Sequence, residues 1–118
     1  MEALVKPAKY NTICPQGATY DTQFTYKINK FPVNLTGYTA RMQVRETHTS
    51  PTTLVSLTNG SGITLGGTAG TIDILISAAT TAGFTPNTYV YDLELVSANG
   101  SVTRMVEGSF TVTPEVTR

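Results

Sequence analysis

The stretch Tyr89-Val90-Tyr91-Asp92-Leu93-Glu94-Leu95-Val96-Ser97-Ala98-Asn99-Gly100-Ser101-Val102 decides the fold class. Tyr89, Tyr91, Leu93 and Leu95 fall on one side of an alternation whose other side carries Asp92 and Glu94. A period of two, apolar on one face and charged on the other, is the pattern of a strand half buried in an antiparallel sheet. Asn99-Gly100 is the preferred pair for a tight type I′ hairpin turn, because both residues tolerate a positive φ. A return strand is then expected from Val102 to Thr113, with Val106, Phe110 and Val112 sharing its inner face. Gly108 inside that strand marks a bulge or a close approach of another backbone. Pro114 ends the ladder, since it has no N–H to give.

The same period runs upstream. Ala40, Met42 and Val44 alternate with Arg41, Gln43 and Arg45, and Ile72, Ile74 and Ile76 alternate with Thr71, Asp73 and Leu75. Phe24, Tyr26 and Ile28 share a face opposite Thr25 and Lys27. Val55, Leu57, Ile63 and Leu65 flank Asn59-Gly60-Ser61-Gly62, which reads as two short strands about a turn, and Gly66-Gly67 with Gly70 closes a second turn. One helix is expected, short and near residues 77–84: Ser77 can cap it, Ala78 and Ala79 favour it, and Gly83 ends it. Short strands at spacings of about 8–12 residues, with turn residues between them, predict an all-β, immunoglobulin-like β-sandwich of about seven to eight antiparallel strands. The Cys pair and core Trp of antibody domains are absent.

Residues 1–16 read differently. Pro7 and Pro15 interrupt them and no alternation persists, so they are expected to form an N-terminal arm or edge strand beside a sandwich domain at 17–118. On that reading, removal of residues 1–16 leaves the sandwich folded.

Composition agrees with this class and narrows the function. At 118 residues the chain is one domain by default and large enough for a core without staples. Thr is the commonest residue, and Thr and Val suit a pleated surface. Charged residues are only 14% of the chain, against about 25% in ordinary soluble domains. Eight basic and eight acidic side chains cancel. A nucleic-acid binder needs surplus cations to displace phosphate counterions, so nucleic acid is not an expected partner. A near-neutral, Thr-rich surface suits a protein packed in an assembly. No apolar run reaches the ~20 residues of a membrane-spanning helix, and Met1–Pro7 lack the apolar core of a signal peptide, so synthesis in a cytoplasm is expected, with no membrane partner.

Chemistry is sparse. Catalysis needs a nucleophile, base or metal within hydrogen-bond reach of its partners. His48, the one histidine, sits between threonines in the polar loop 47–53 and reads as a solvated residue. Cys14, the one cysteine, reads as a small apolar filler. Asp92 and Glu94 share an outer strand face and would form a divalent-ion site with Asp73 if the strands paired that way; the competing reading is a solvated face with Arg104 or Arg45 as cross-strand partners. The glycine-rich stretches lack the lysine and helix of a phosphate loop. Asn34-Leu35-Thr36, Asn59-Gly60-Ser61 and Asn99-Gly100-Ser101 match the glycosylation acceptor pattern but read as turns. No catalytic, cofactor-binding or metal residue is therefore assigned, and no enzyme is expected. Tyr10, Tyr20, Tyr38, Tyr89 and Tyr91 are large amphipathic groups suited to interfaces, but each reads first as a partly buried core or corner residue.

Five segments carry a resemblance: Leu35-Thr36-Gly37-Tyr38-Thr39-Ala40-Arg41-Met42-Gln43-Val44-Arg45-Glu46; Gly62-Ile63-Thr64-Leu65-Gly66-Gly67; Ile76-Ser77-Ala78-Ala79-Thr80-Thr81-Ala82; Tyr91-Asp92-Leu93-Glu94-Leu95; and Gly108 to Arg118. In this order they resemble small structural proteins of tailed bacteriophages and prophages. The pattern is also similar to the immunoglobulin-like N-terminal domain of phage baseplate upper proteins. The resemblance covers roughly residues 17–118. It implies a non-enzymatic virion component, made in the bacterial host cytoplasm, whose partners are other virion structural proteins and further copies of itself. A tail, baseplate or fibre-attachment adaptor is the leading expectation. A capsid decoration (cement) protein is the alternative, and a carbohydrate-binding module of a host-recognition fibre comes third, disfavoured by the lack of Trp.

Overall fold

The computed structural model describes residues 7–118. Eleven strands alternate with little else: β1 (Ala8–Lys9), β2 (Thr12–Pro15), β3 (Tyr20–Thr25), β4 (Lys27–Ile28), β5 (Phe31–Pro32), β6 (Thr39–Arg45), β7 (Val55–Asn59), β8 (Gly62–Leu65), β9 (Thr71–Ile76), β10 (Asn87–Val96) and β11 (Val102–Thr113). A 3-10 turn at Gly67–Ala69 and one helix, α1 (Ala78–Ala82), complete the elements of the described residues. The fold is all-β. Nine strands form one sheet in the order β1-β11-β10-β6-β7-β8-β9-β3, with β2 also on β11, while β4 and β5 make a separate small hairpin.

The sheet curls so that its two ends face each other. Tyr20 on β3 and Phe110 on β11 lie far apart in strand order, yet their ring centroids are 5.4 Å apart. Between the facing layers lies one core that includes Met42, Val44, Ile63, Ile72, Ile74, Leu93, Leu95 and Phe110. These are the inward positions of the alternations read from the sequence. They are buried because a strand exposes successive side chains to opposite faces, and only one face of each strand meets the other layer.

The helix forms where expected. Ser77 is extended and its Oγ accepts from the Thr80 N–H at 3.2 Å, which satisfies a donor that the first turn leaves unpaired. Thr81 on α1 is fully buried and ties this end of the fold together: its Oγ1 donates to the Ala18 carbonyl at 2.7 Å and accepts from the Gly17 N–H at 3.1 Å.

Several local expectations are corrected. The sheet is mixed, with parallel pairing of β1 and β2 on β11 and of β7 on β8. At β7–β8 the glycine-rich stretch makes a full loop instead of a hairpin. Gly60 and Gly62 have φ of 84° and 95°, so the chain leaves the turn in the direction it entered. The Asn99-Gly100 connection is not type I′, because Gly100 has a positive φ (91°) and Asn99 does not. Ser97 pairs with Ser101 around a three-residue loop closed by Gly100 N–H to Ser97 C=O at 2.9 Å. The two-residue turn with positive φ at both positions occurs at Asn29 (51°) and Lys30 (73°), between β4 and β5. In β11 the register slips at Met105, where Leu93 faces Val106 but Glu94 faces Arg104. That bulge switches the inward residues from odd to even numbers. Gly108, three residues on, serves a close approach: a Cβ there would stand 2.3 Å from the Tyr10 carbonyl oxygen.

The expected arm is edge strand over Ala8–Pro15 and belongs to the core; its residues 1–6 lie outside the described residues. β1 and β2 run along β11 in one continuous register, interrupted at Tyr10–Asn11. Cys14 is fully buried opposite Val112, and Thr12 is buried as well. The expectation that the sandwich stays folded without residues 1–16 is at odds with this packing: loss of Ala8–Pro15 would uncover Phe110 and Val112.

Candidate functional site

Two surfaces qualify as sites, a polar basin on the outer face and a groove between two strand edges. The basin, of about 560 Å³, is lined by β6, β10 and β11 with Lys9 at its rim, and His48 reaches it from the 47–53 loop. Its charges are engaged with one another. Arg104 lies between Asp92 (3.5 Å) and Glu107 (3.4 Å), and Lys9 bonds Glu107 at 2.7 Å. Arg45 donates to the Ser50 carbonyl and to Gln43 Oε1. Burial raises the Asp92 carboxyl above its ordinary value, and the nearby Glu94 adds to this while Arg104 opposes it. The hydrogen bond from Lys9 holds Glu107 below the usual carboxylate range.

The conditional metal site is not assembled. Asp73 lies on β9, which pairs with β3 and β8 and not with β10, and it accepts from Gln23 Nε2 at 2.7 Å. Glu94 is bonded by Arg41 at 2.8 Å, so the cross-strand arginines are Arg41 and Arg104, not Arg45. Among the described residues no group of three His, Cys, Asp or Glu side chains is placed to hold a metal ion. Cys14 is sealed in the core, and burial pushes its thiol up to about 11, so little of it ionises near neutrality. His48 is exposed. The acceptor asparagines of two glycosylation patterns work as turn formers: Asn34 Oδ1 accepts from the Thr36 N–H and hydroxyl, and Asn99 Oδ1 from the Ser101 N–H.

The second surface is a groove of about 430 Å³ lined by Tyr10, Thr12 and Ile13 on one side and by Thr19, Tyr20 and Asp21 on the other. It lies where β2, paired only with β11, faces β3, paired only with β9. Side chains alone span it. Thr12 Oγ1 and Tyr20 Oη share a hydrogen bond of 2.9 Å, and Tyr10 and Phe24 meet edge to face at 5.5 Å.

The direction of the β3 backbone groups follows from one bond. Tyr26 N–H donates to the Gly70 carbonyl at 2.8 Å, which makes the first pair beyond the β3–β9 register a bonded one. Bonded pairs alternate along an antiparallel ladder. Tyr20, Thr22 and Phe24 therefore direct N–H and C=O to β9, whereas Asp21, Gln23 and Thr25 direct theirs out of the sheet. Those outward groups have no strand beside them among the described residues. β3 also lacks the lysine, proline or bulge that usually blunts an edge.

The tyrosines divide accordingly. Tyr20, Tyr89 and Tyr91 are core residues, and the Tyr89 and Tyr91 hydroxyls donate to the carbonyls of Thr85 and Tyr10, both at 2.6 Å. Tyr10 is 45% exposed on the groove rim beside Ile13, which is 63% exposed. Sequence reasoning missed this rim because hydropathy inverts there: Thr12 points in and Ile13 points out. The available signal was the alternation Thr12-Ile13-Cys14 itself, hidden between two prolines.

No protein-family model matches the chain, and none of the curated proteins is significantly similar to it.

Proposed function

We propose that this chain is a non-enzymatic structural protein of a tailed-phage virion, an adaptor at the tail, baseplate or fibre attachment that works through strand-edge contacts. The observation that carries the contact-making part is the open edge of β3, with outward backbone groups at Asp21, Gln23 and Thr25 beside an exposed apolar rim. Unpaired edges bind other chains through main-chain hydrogen bonds. The outer-face basin supports the non-enzymatic part: its carboxylates, Asp92 and Glu107, are held by Arg104 and Lys9, and the buried thiol of Cys14 is kept protonated near neutrality. The placement in a virion rests on the ordered segments that resemble phage structural proteins. Other virion proteins and further copies of the chain are its partners in this reading.

Quantitative mass spectrometry of purified particles from the genome that encodes the chain tests this reading. A few to a few dozen copies per particle is the expected result. Hundreds of copies would replace the adaptor with a capsid decoration protein, and absence from the particles would overturn the virion reading.

A further inference from the structure

We infer that β3 is a self-association edge: two copies of the chain pair β3 to β3 about a two-fold axis at Gln23. The inference concerns the isolated chain and does not depend on its place in a virion. An edge selects its occupant first by backbone geometry, and the outward groups at Asp21, Gln23 and Thr25 accept a strand and little else. A second copy supplies a strand of matching length. With the axis at Gln23, Asp21 of one copy faces Thr25 of the other, Gln23 faces Gln23, and Thr25 faces Asp21. Each of these becomes a bonded pair of an antiparallel ladder.

Charge favours this occupant and this register. Asp21 is the one charged residue in the strand, and the two-fold register sets it opposite Thr25, not opposite its own copy. The whole chain has no net charge, so no long-range repulsion opposes the approach of two copies. Apolar surface borders the same edge: Tyr10 and Ile13 are exposed on the rim of the groove beside β3. A symmetric dimer is also the commonest closed assembly, because one patch serves both copies. The result is a sheet continuous across both molecules.

Sedimentation velocity across micromolar to millimolar concentrations tests the inference on the full chain. The wild type is expected to dimerise within that range. Gln23→Pro removes an outward N–H and the exposed Gln23–Asp73 side-chain bond but no backbone bond of the β9 ladder, and should leave a monomer that still melts cooperatively. Thr25→Lys places an ammonium opposite Asp21 twice per dimer and should tighten the dimer roughly two- to tenfold, while Thr25→Asp should weaken it by a similar factor. A wild type that stays monomeric at millimolar concentration, or a dimer indifferent to both Gln23→Pro and the Thr25 substitutions, would overturn the proposal.

Discussion

The strands that flank the groove are both sheet edges, yet they are built in opposite ways. The β1–β2 edge is blunted throughout: Lys9 is charged and exposed, the strand breaks at Tyr10–Asn11, and Pro15 ends it. At the break, Asn11 Oδ1 accepts the Ser109 N–H at 3.0 Å, so a side chain replaces the missing backbone partner. Its inner residues Thr12 and Cys14 are locked in the core. β3 has a similarly buried inner residue in Tyr20, but among the described residues no strand pairs with its outer groups, and Asp21 is the one charge along it. Natural sheets usually defend edges, because an undefended one pairs with whatever strand it meets. One edge of this fold is blunted by its own residues, and the other is the one proposed to pair with a second copy.

The largest contrast between the edges comes from deletion. Removing residues 1–16 takes away Cys14 and Thr12 and exposes Phe110 and Val112, so the chain is expected to lose its cooperative thermal transition by circular dichroism. A truncated chain that still melted cooperatively would make β1–β2 as dispensable as an arm.

Single substitutions give a graded version. Gly108→Ala drives a Cβ against the Tyr10 carbonyl and should destabilise the fold by about 1–3 kcal/mol in urea denaturation. Thr22→Pro removes a donor from the Ile74 carbonyl inside the β3–β9 ladder and should cost a similar ~1–3 kcal/mol. Gln23→Pro, one residue away with its N–H turned outward, should change the stability of the dilute chain by less than about 1 kcal/mol. Equal costs at positions 22 and 23 would refute the assignment of inward and outward groups.

The buried thiol of the closed edge gives a smaller, pH-dependent effect. Its folded-state pKa is raised by burial, so the unfolded chain releases the proton first. Stability is complete below the ordinary thiol value and falls as pH rises from there to about 11. Burial raises Tyr20 and Tyr91 too, which adds to the loss at the upper end of that window. Urea midpoints measured between pH 8 and pH 10 should therefore decline, and Cys14→Ala should remove part of the decline. An identical slope in the variant would place the titration elsewhere.

The two edges also differ in how far sequence reveals them. Strands with an unmixed alternation were legible: Ala40–Val44, Ile72–Ile76 and Tyr89–Leu95 lie where the period of two puts them, and so does the helix capped by Ser77. In each, one local rule acts without competition. The rest depended on partners distant in sequence. Ile13 faces outward because β2 must turn Cys14 toward the core and Thr12 toward Tyr20, and hydropathy carries no trace of that choice. The loop at Asn59–Gly62 reads as a hairpin until its two positive-φ glycines show a full turn. Asn29-Lys30 adopts the doubly left-handed turn that Asn99-Gly100 favours by composition. The metal trio dissolved because β9 and β10 are not neighbours, which strand alternation alone does not determine. The open edge of β3 was legible only as a class, since the sequence implies edges but not which strand is left at one.

Amide hydrogen exchange along β3, measured by NMR at low and high protein concentration, tests the central claim most directly. At low concentration the amides of Asp21, Gln23 and Thr25 should exchange rapidly while those of Thr22 and Phe24 are protected by β9. At high concentration the outward amides should become protected as a second copy covers them. Uniform protection along β3 at the lowest concentration, or outward amides that stay unprotected at every concentration, would contradict the account.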